Sequence, residues 1–309
     1  MSVAFVFPGQ GAQAVGMGRA LADAFPEAQR AFEEADAALG EPISTLCFEG
    51  PEEELTRTAN TQPAVLTVDV AALRAVRSAA GIEPSLVAGH SLGEYAALVA
   101  AGALDLGTAV RLTRLRGRAM QDAVPEGEGA MAAVLLLEPA VVAAICEEAA
   151  GGRVCAPANF NAPGQVVIAG HADAVARAVD IVKTRKGRAI PLKVSAPFHC
   201  ELMRPAAHAL ASALRDVDVR TPTVPVVSNV DAAPNSDAGR IKDLLVRQVT
   251  SPVRWEESVR RMVEAGVRKF VELGPGNVLA GLIKRIDRSV EVVSVSDPAG
   301  VRALAAGAA

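Results

Sequence analysis

Two periodicities alternate along the chain. Short apolar runs of strand length, at 3–7, 86–88, 224–228, 269–272 and 290–294, are separated by longer segments in which apolar side chains recur every three or four residues. The helical segments fall near 17–37, 62–78, 94–101, 105–122, 202–214, 239–248 and 255–264. One more follows the Gly274-Pro275-Gly276 turn and ends near 286. Uniformly apolar strands set between helices predict an α/β fold, a large α/β-hydrolase-like domain with a mostly parallel sheet.

Between 129 and 193 the texture changes. Strands at 131–137, 154–158, 165–169 and 188–193 surround helices at 139–149 and 172–184. This βαββαβ order is that of a ferredoxin-like unit. The expected organisation is a small subdomain, 128–194, inserted into a large domain made of 1–127 and 195–309, with the insert forming one wall of a cleft. A chain of 309 residues, half of them hydrophobic, can supply a core for both. The alanine-rich tail from Val301 carries no chemical signal, and no internal repeat is visible.

Charge and cysteine usage narrow the classes. A net charge of −4 creates no overall basic field for nucleic acid or an anionic membrane, though an anionic substrate could still meet a local positive site. Cys47, Cys146, Cys155 and Cys200 are scattered, without C-x-x-C or Cys/His metal spacing, which suggests a reduced, cytoplasmic setting and no metal. The first apolar run lacks a basic leader and a cleavage site and reads as a strand. The longest apolar stretch, 130–146, is broken by Glu138-Pro139, so no segment is expected to span a bilayer.

The chemistry centres on Gly89-His90-Ser91-Leu92-Gly93, a G-x-S-x-G pentapeptide between a strand and a helix. A chain that turns this sharply needs glycines at its flanks, and it leaves the serine hydroxyl exposed at a helix N-terminus. Ser91 is therefore the candidate nucleophile, with the Leu92 amide as first oxyanion donor; the alternative is a serine that merely caps the helix. The loop Pro8-Gly9-Gln10-Gly11-Ala12-Gln13 lacks both the P-loop ending and the dinucleotide spacing, and its close glycines make it a candidate second donor.

A serine nucleophile needs a base, and the chain has four histidines. His90 adjoins Ser91 and is expected to pack beneath the turn, His171 caps a junction of the insert, and His208 sits mid-helix among alanines. His199, in Ser195-Ala196-Pro197-Phe198-His199-Cys200, lies on the loop where the chain returns from the insert, and elimination leaves it as the base. No histidine follows 208, which counts against an ordinary α/β-hydrolase esterase with its late histidine. In the helix at 105–122, Arg111, Arg114, Arg118 and Asp122 form a polar stripe, whereas Arg116 shares the inward side with Ala109, Leu112, Thr113, Ala119 and Met120. A buried guanidinium needs an anion: either an acid of this chain or a carboxylate that arrives with the substrate.

Phe7 to Gln13, Gly89 to Tyr95, Arg116, Ser195 to His199, Gln248 ahead of Pro252, Asn159 to Gln165 and Glu272 to Gly276 occur in order along nearly the whole length. In this combination the chain resembles the malonyl-CoA:acyl carrier protein transacylases. The one visible departure is Ala12, where serine is common; a loop acting through its backbone amides loses little by it. The resemblance implies malonyl transfer from malonyl-CoA to an acyl carrier protein through a malonyl ester on Ser91, with His199 as base and the amides of Gln10 and Leu92 as oxyanion hole. It implies Arg116 as the carboxylate clamp, Gln248 in the same pocket with backbone nearby orienting His199, Asn161 as a further pocket residue, and Phe198 as a bulky wall against methylmalonyl. CoA is then a substrate, no cofactor is expected, and neither nucleic acid nor membrane is a partner. A discrete monomer is expected, serving fatty acid or polyketide synthesis. Competing readings are a polyketide-pathway acyltransferase with other acyl preferences, a serine thioesterase, and a silent carrier-docking module.

Overall fold

The computed structural model describes residues 2–192, 194 and 196–307. Lys193, the last residue of the strand expected at 188–193, and Ser195, the first of the His199 segment, lie outside the described residues.

The main sheet contains β1 (Ser2–Phe7), β2 (Leu86–Gly89), β7 (Val226–Val227), β8 (Pro234–Asn235), β9 (Val267–Leu273) and β10 (Glu291–Val295). Their order is β10-β9-β1-β2-β7-β8, and every pairing is parallel except β7 with β8. Alternate side chains of β1 serve two cores: Phe5 and Phe7 pack beneath the helices of one face, Ala4 and Val6 beneath those of the other. Burial on both faces is why these strands read as continuous apolar runs rather than as an alternation.

The second sheet contains β3 (Gly129–Leu135), β4 (Cys155–Ala162), β5 (Gln165–His171) and β6 (Arg188–Pro191), in the antiparallel order β4-β5-β3-β6. With the helices Pro139–Ala150 and Ala172–Thr184 between them, this is the ferredoxin-like arrangement expected from the βαββαβ order. Its period of two decides what meets the large unit. Ala132, Val134, Val166 and Ile168 bury against the two local helices, while Met131, Val167 and Ala169 turn to the main core. β4 also reaches across: Phe160 N donates to Val253 O at 2.9 Å and Val253 N to Ala158 O at 2.9 Å.

Several elements differ from their expected extent. The helix expected at 17–37 is two, Arg19–Ala24 and Pro26–Leu39, because Pro26 opens a new helix at its first position. The helix expected at 62–78 is Thr58–Ala80 and carries Pro63 inside its first turns. The alanine-rich tail forms a helix, Pro298–Ala306, started by Asp297, whose side chain accepts from Gly300 N at 2.8 Å. Arg114 belongs to no exposed stripe: it is buried and donates to Ala59 O at 3.0 Å, to Asn60 and to Glu41. Proline at 63 has no N–H for the carbonyl four residues earlier, and that carbonyl, Ala59 O, takes its donor from Arg114 instead. Among the described residues, no helix is long and apolar enough to cross a membrane.

Candidate active site

β2 ends in Gly89, and the helix Gly93–Ala100 starts four residues later. The turn between them forces Ser91 into the left-handed region, φ 53°, a conformation costing of order 1–3 kcal/mol that persists only where the surroundings enforce it. Here His90 N donates to Phe7 O at 3.0 Å and Ser91 N to Asn229 Oδ1 at 2.7 Å. The two glycines are steric necessities. A Cβ on Gly89 would lie 1.9 Å from the backbone of Gly93, and one on Gly93 would lie 2.2 Å from Phe7 O.

Ser91 Oγ meets His199 Nε2 at 2.7 Å. His199 also has a left-handed backbone, φ 59°, and its Nδ1 faces Gln248 O at 2.9 Å. That carbonyl is free for the purpose because the helix Ala238–Thr250 ends two residues later, so its last carbonyls lack intrahelical donors. A carbonyl can only accept. Nδ1 therefore carries the proton and Nε2 presents its lone pair to the serine, and among the described residues no acid hydrogen-bonds to the ring. Burial, then the charge of Arg116, press the imidazole down to about pKa 3, so it is a neutral base throughout the physiological range.

Arg116 comes from the helix Leu106–Asp122, whose start is fixed by Asp105 accepting from Thr108 N at 2.7 Å. The residue is 1% exposed. Nη1 donates to Gln62 Oε1 at 2.7 Å; Nη2 donates to Gln248 Oε1 at 2.9 Å and Ser91 Oγ at 3.0 Å. All three acceptors are neutral, and among the described residues no carboxylate forms an ion pair with it. Alcohol, imidazole and guanidinium line one hollow of about 110 Å³, together with Gln10, Leu92, Phe198 and the two methionines Met120 and Met131. Neither the Gln10 nor the Leu92 amide donates to an acceptor among the described residues.

The profile of the acyl transferase domain matches residues 4–302. The malonyl CoA-acyl carrier protein transacylase of Escherichia coli K12 is 50% identical over 301 residues, 97% of each chain. The chain belongs to the malonyl CoA-acyl carrier protein transacylases. A solved acyl carrier protein S-malonyltransferase from Vibrio cholerae superposes with a TM-score of 0.96 at 49% identity, over 98% of this chain and 100% of that one. A malonyl-transacylase solved in complex with its type II PKS acyl-carrier protein superposes at 0.97 with 47% identity, over 99% and 100%.

The other residues singled out in this transacylase sequence fall as follows. The Gln10 side chain donates to Thr58 Oγ1 at 3.1 Å, and the residue lines the hollow. Asn161 stands one contact behind the hollow, its Oδ1 2.8 Å from His90 Nε2, while the asparagine that lines the hollow is Asn159. The His90 ring packs tilted against Trp255, centroids 5.7 Å apart at 59°. His171 accepts from Val154 N through Nδ1 at 3.0 Å at the end of the antiparallel sheet. Sequence reasoning missed Gln62, Asn229 and Glu94. Asn229 follows β7 at the carboxyl edge of the parallel sheet, where ligands of α/β folds gather, and that position was its available signal. Gln62 sits on the buried face of its helix, detectable only as a polar break in an apolar stripe.

Proposed function

We propose that the chain transfers malonyl from CoA to the phosphopantetheine thiol of an acyl carrier protein through an ester on Ser91. The observation that carries this reading is a buried guanidinium that, among the described residues, donates only to neutral oxygens and whose Nη2 lies 3.0 Å from the nucleophile. An uncompensated buried cation seeks an anion, and its forked donors match a carboxylate. That selects an acyl group bearing a terminal carboxylate over plain acetyl.

Ser91 Oγ attacks the thioester carbon while its proton passes to His199 Nε2. The carbonyl oxygen becomes an oxyanion facing the Gln10 and Leu92 amides. Collapse breaks the carbon–sulfur bond, and the imidazolium returns its proton to the departing CoA thiolate. An imidazole with so depressed a pKa is a strong acid once protonated, which suits this second role. The carrier thiol then gives its proton to His199, attacks the ester, and releases Ser91 with that proton. Gln248 O steadies Nδ1–H in both halves, and the C-terminal end of its helix favours the transient positive charge. The base, the oxyanion donors and the clamp are all groups of this chain, so the scheme needs no cofactor.

Incubation with malonyl-CoA and a phosphopantetheinylated acyl carrier protein tests this. Malonyl should appear on the carrier by way of Ser91; release of free malonate at the same rate with and without carrier would indicate a thioesterase instead.

A further inference from the structure

Behind Ser91, the helix Gly93–Ala100 carries a carboxyl that the scheme above does not use. Glu94 is 3% exposed. Its Oε2 accepts from Asn229 N at 3.0 Å and from Gln248 Nε2 at 2.7 Å. The same Nε2 donates to Ser91 O at 2.9 Å and lies 3.3 Å from Asn229 Oδ1, while Gln248 Oε1 accepts from Arg116 Nη2 at 2.9 Å. Only one orientation of the amide satisfies this set. Turned over, it would face its oxygen to three acceptors and its NH₂ to a guanidinium. Of the three acceptors, Glu94 Oε2 is the nearest, at 2.7 Å.

Resting on the malonyl-transfer reading, we propose that Glu94 is the positioning residue of the carboxylate clamp. It fixes Gln248 and through it Arg116, and its charge state sets how strongly Arg116 holds an anionic acyl group.

The charged and titratable groups that face Glu94 are Arg116 from the helix Leu106–Asp122, Tyr95 beside it on its own helix, and Asp231 from the segment between β7 and β8. Burial raises the carboxyl to about 7, against the opposing pull of Asn229 N, Gln248 and Arg116. His199 lies near 3 and keeps one charge state across neutrality. Glu94 is thus the member of this network that gains a charge there. On its other side Ser228 and Asn235 line a void of about 10 Å³, the scale of a single water. A negative charge one amide away from Arg116 competes with an incoming carboxylate, and buried charges this close alter one another's binding by roughly tenfold.

The test follows malonyl and acetyl transfer from about pH 5 to about pH 8, where the malonyl carboxylate itself stays ionised, in the parent, Glu94→Gln and Glu94→Ala. The parent KM for malonyl-CoA should rise roughly tenfold across the range, while that for acetyl-CoA stays level. Glu94→Gln should abolish the malonyl-specific rise. Glu94→Ala, which also unlocks Gln248, should depress malonyl transfer at every pH more than acetyl transfer. A Glu94→Gln enzyme that keeps the parent pH dependence, or a parent with none, overturns the proposal. If the alanine variant fails to fold, the near-isosteric glutamine variant decides alone. A parent that forms no malonyl ester defeats the transfer reading itself; a malonylated parent with a level KM defeats only the role of Glu94.

Discussion

Replacing Arg116 by alanine removes a forked donor and, among the described residues that line the hollow, the one permanent cation. Hydrogen bonds to charged groups contribute about 1.5–3 kcal/mol each, and an anion left without its partner in a buried site loses roughly 3–5 kcal/mol. The substitution has a second effect. Gln62 Oε1 and Gln248 Oε1 lose their donor, and Ser91 Oγ loses a neighbour, at a cost of about 1–3 kcal/mol per orphaned buried group. This second loss is common to every acyl group, so the informative quantity is the ratio of kcat/KM for malonyl-CoA to that for acetyl-CoA. At about 1.4 kcal/mol per factor of ten, the ratio should fall by about 10² to 10³, while the acetyl rate alone falls less. Steady-state transfer to a carrier protein from each thioester measures both terms. Arg116→Lys, which keeps the charge but loses the fork, should fall between the two. Equal loss of malonyl and acetyl transfer would refute the carboxylate clamp and leave Arg116 as scaffolding for Gln62 and Gln248.

Three further outcomes follow from the packing. Gly93→Ala gains about 1 kcal/mol in helix propensity, but its Cβ would meet Phe7 O at 2.2 Å; a net destabilisation of roughly 1–3 kcal/mol and a loss of Ser91 acylation should appear in denaturant melts and labelling rates. Phe198→Ala widens the hollow beside His199 and should raise methylmalonyl relative to malonyl labelling by about tenfold or more, the discrimination one methyl group provides. Asp69 is wholly buried, neither of its oxygens has a hydrogen-bond partner among the described residues, and burial followed by the charge of Glu272 holds its carboxyl well above the usual range. A native state that keeps this proton while the unfolded chain releases it loses stability as pH rises above the ordinary carboxyl range. Asp69→Asn should therefore raise the thermal midpoint, and by more at pH 8 than at pH 5.

The parts of the site legible in the sequence are those tied to a local pattern. Ser91 follows from glycine spacing, because the turn cannot form without it, and Arg116 from helical phase, because one arginine stood out of register with three others. The antiparallel order of β3 to β6 was implied by element order alone. What the sequence hid depends on contacts between distant segments. Arg114 looked like part of a polar stripe, and its inward turn comes from a carbonyl exposed by Pro63, on another helix. Glu94, Asn229 and Gln62 join Gln248 and Arg116 in one network drawn from distant segments, and side chains linked only through space have no characteristic spacing to betray them. Asn161 and Asn159 are two residues apart on β4, a strand with irregular register, and which of them reaches the hollow is settled only by that register.

The account depends on a covalent acyl group at one hydroxyl, and the intact mass of the protein after brief exposure to malonyl-CoA tests it most directly. One malonyl group should be retained by the parent, none by Ser91→Ala, and it should leave when a phosphopantetheinylated carrier is added. A parent that gains no mass, or a Ser91→Ala protein that gains the same mass, would contradict it.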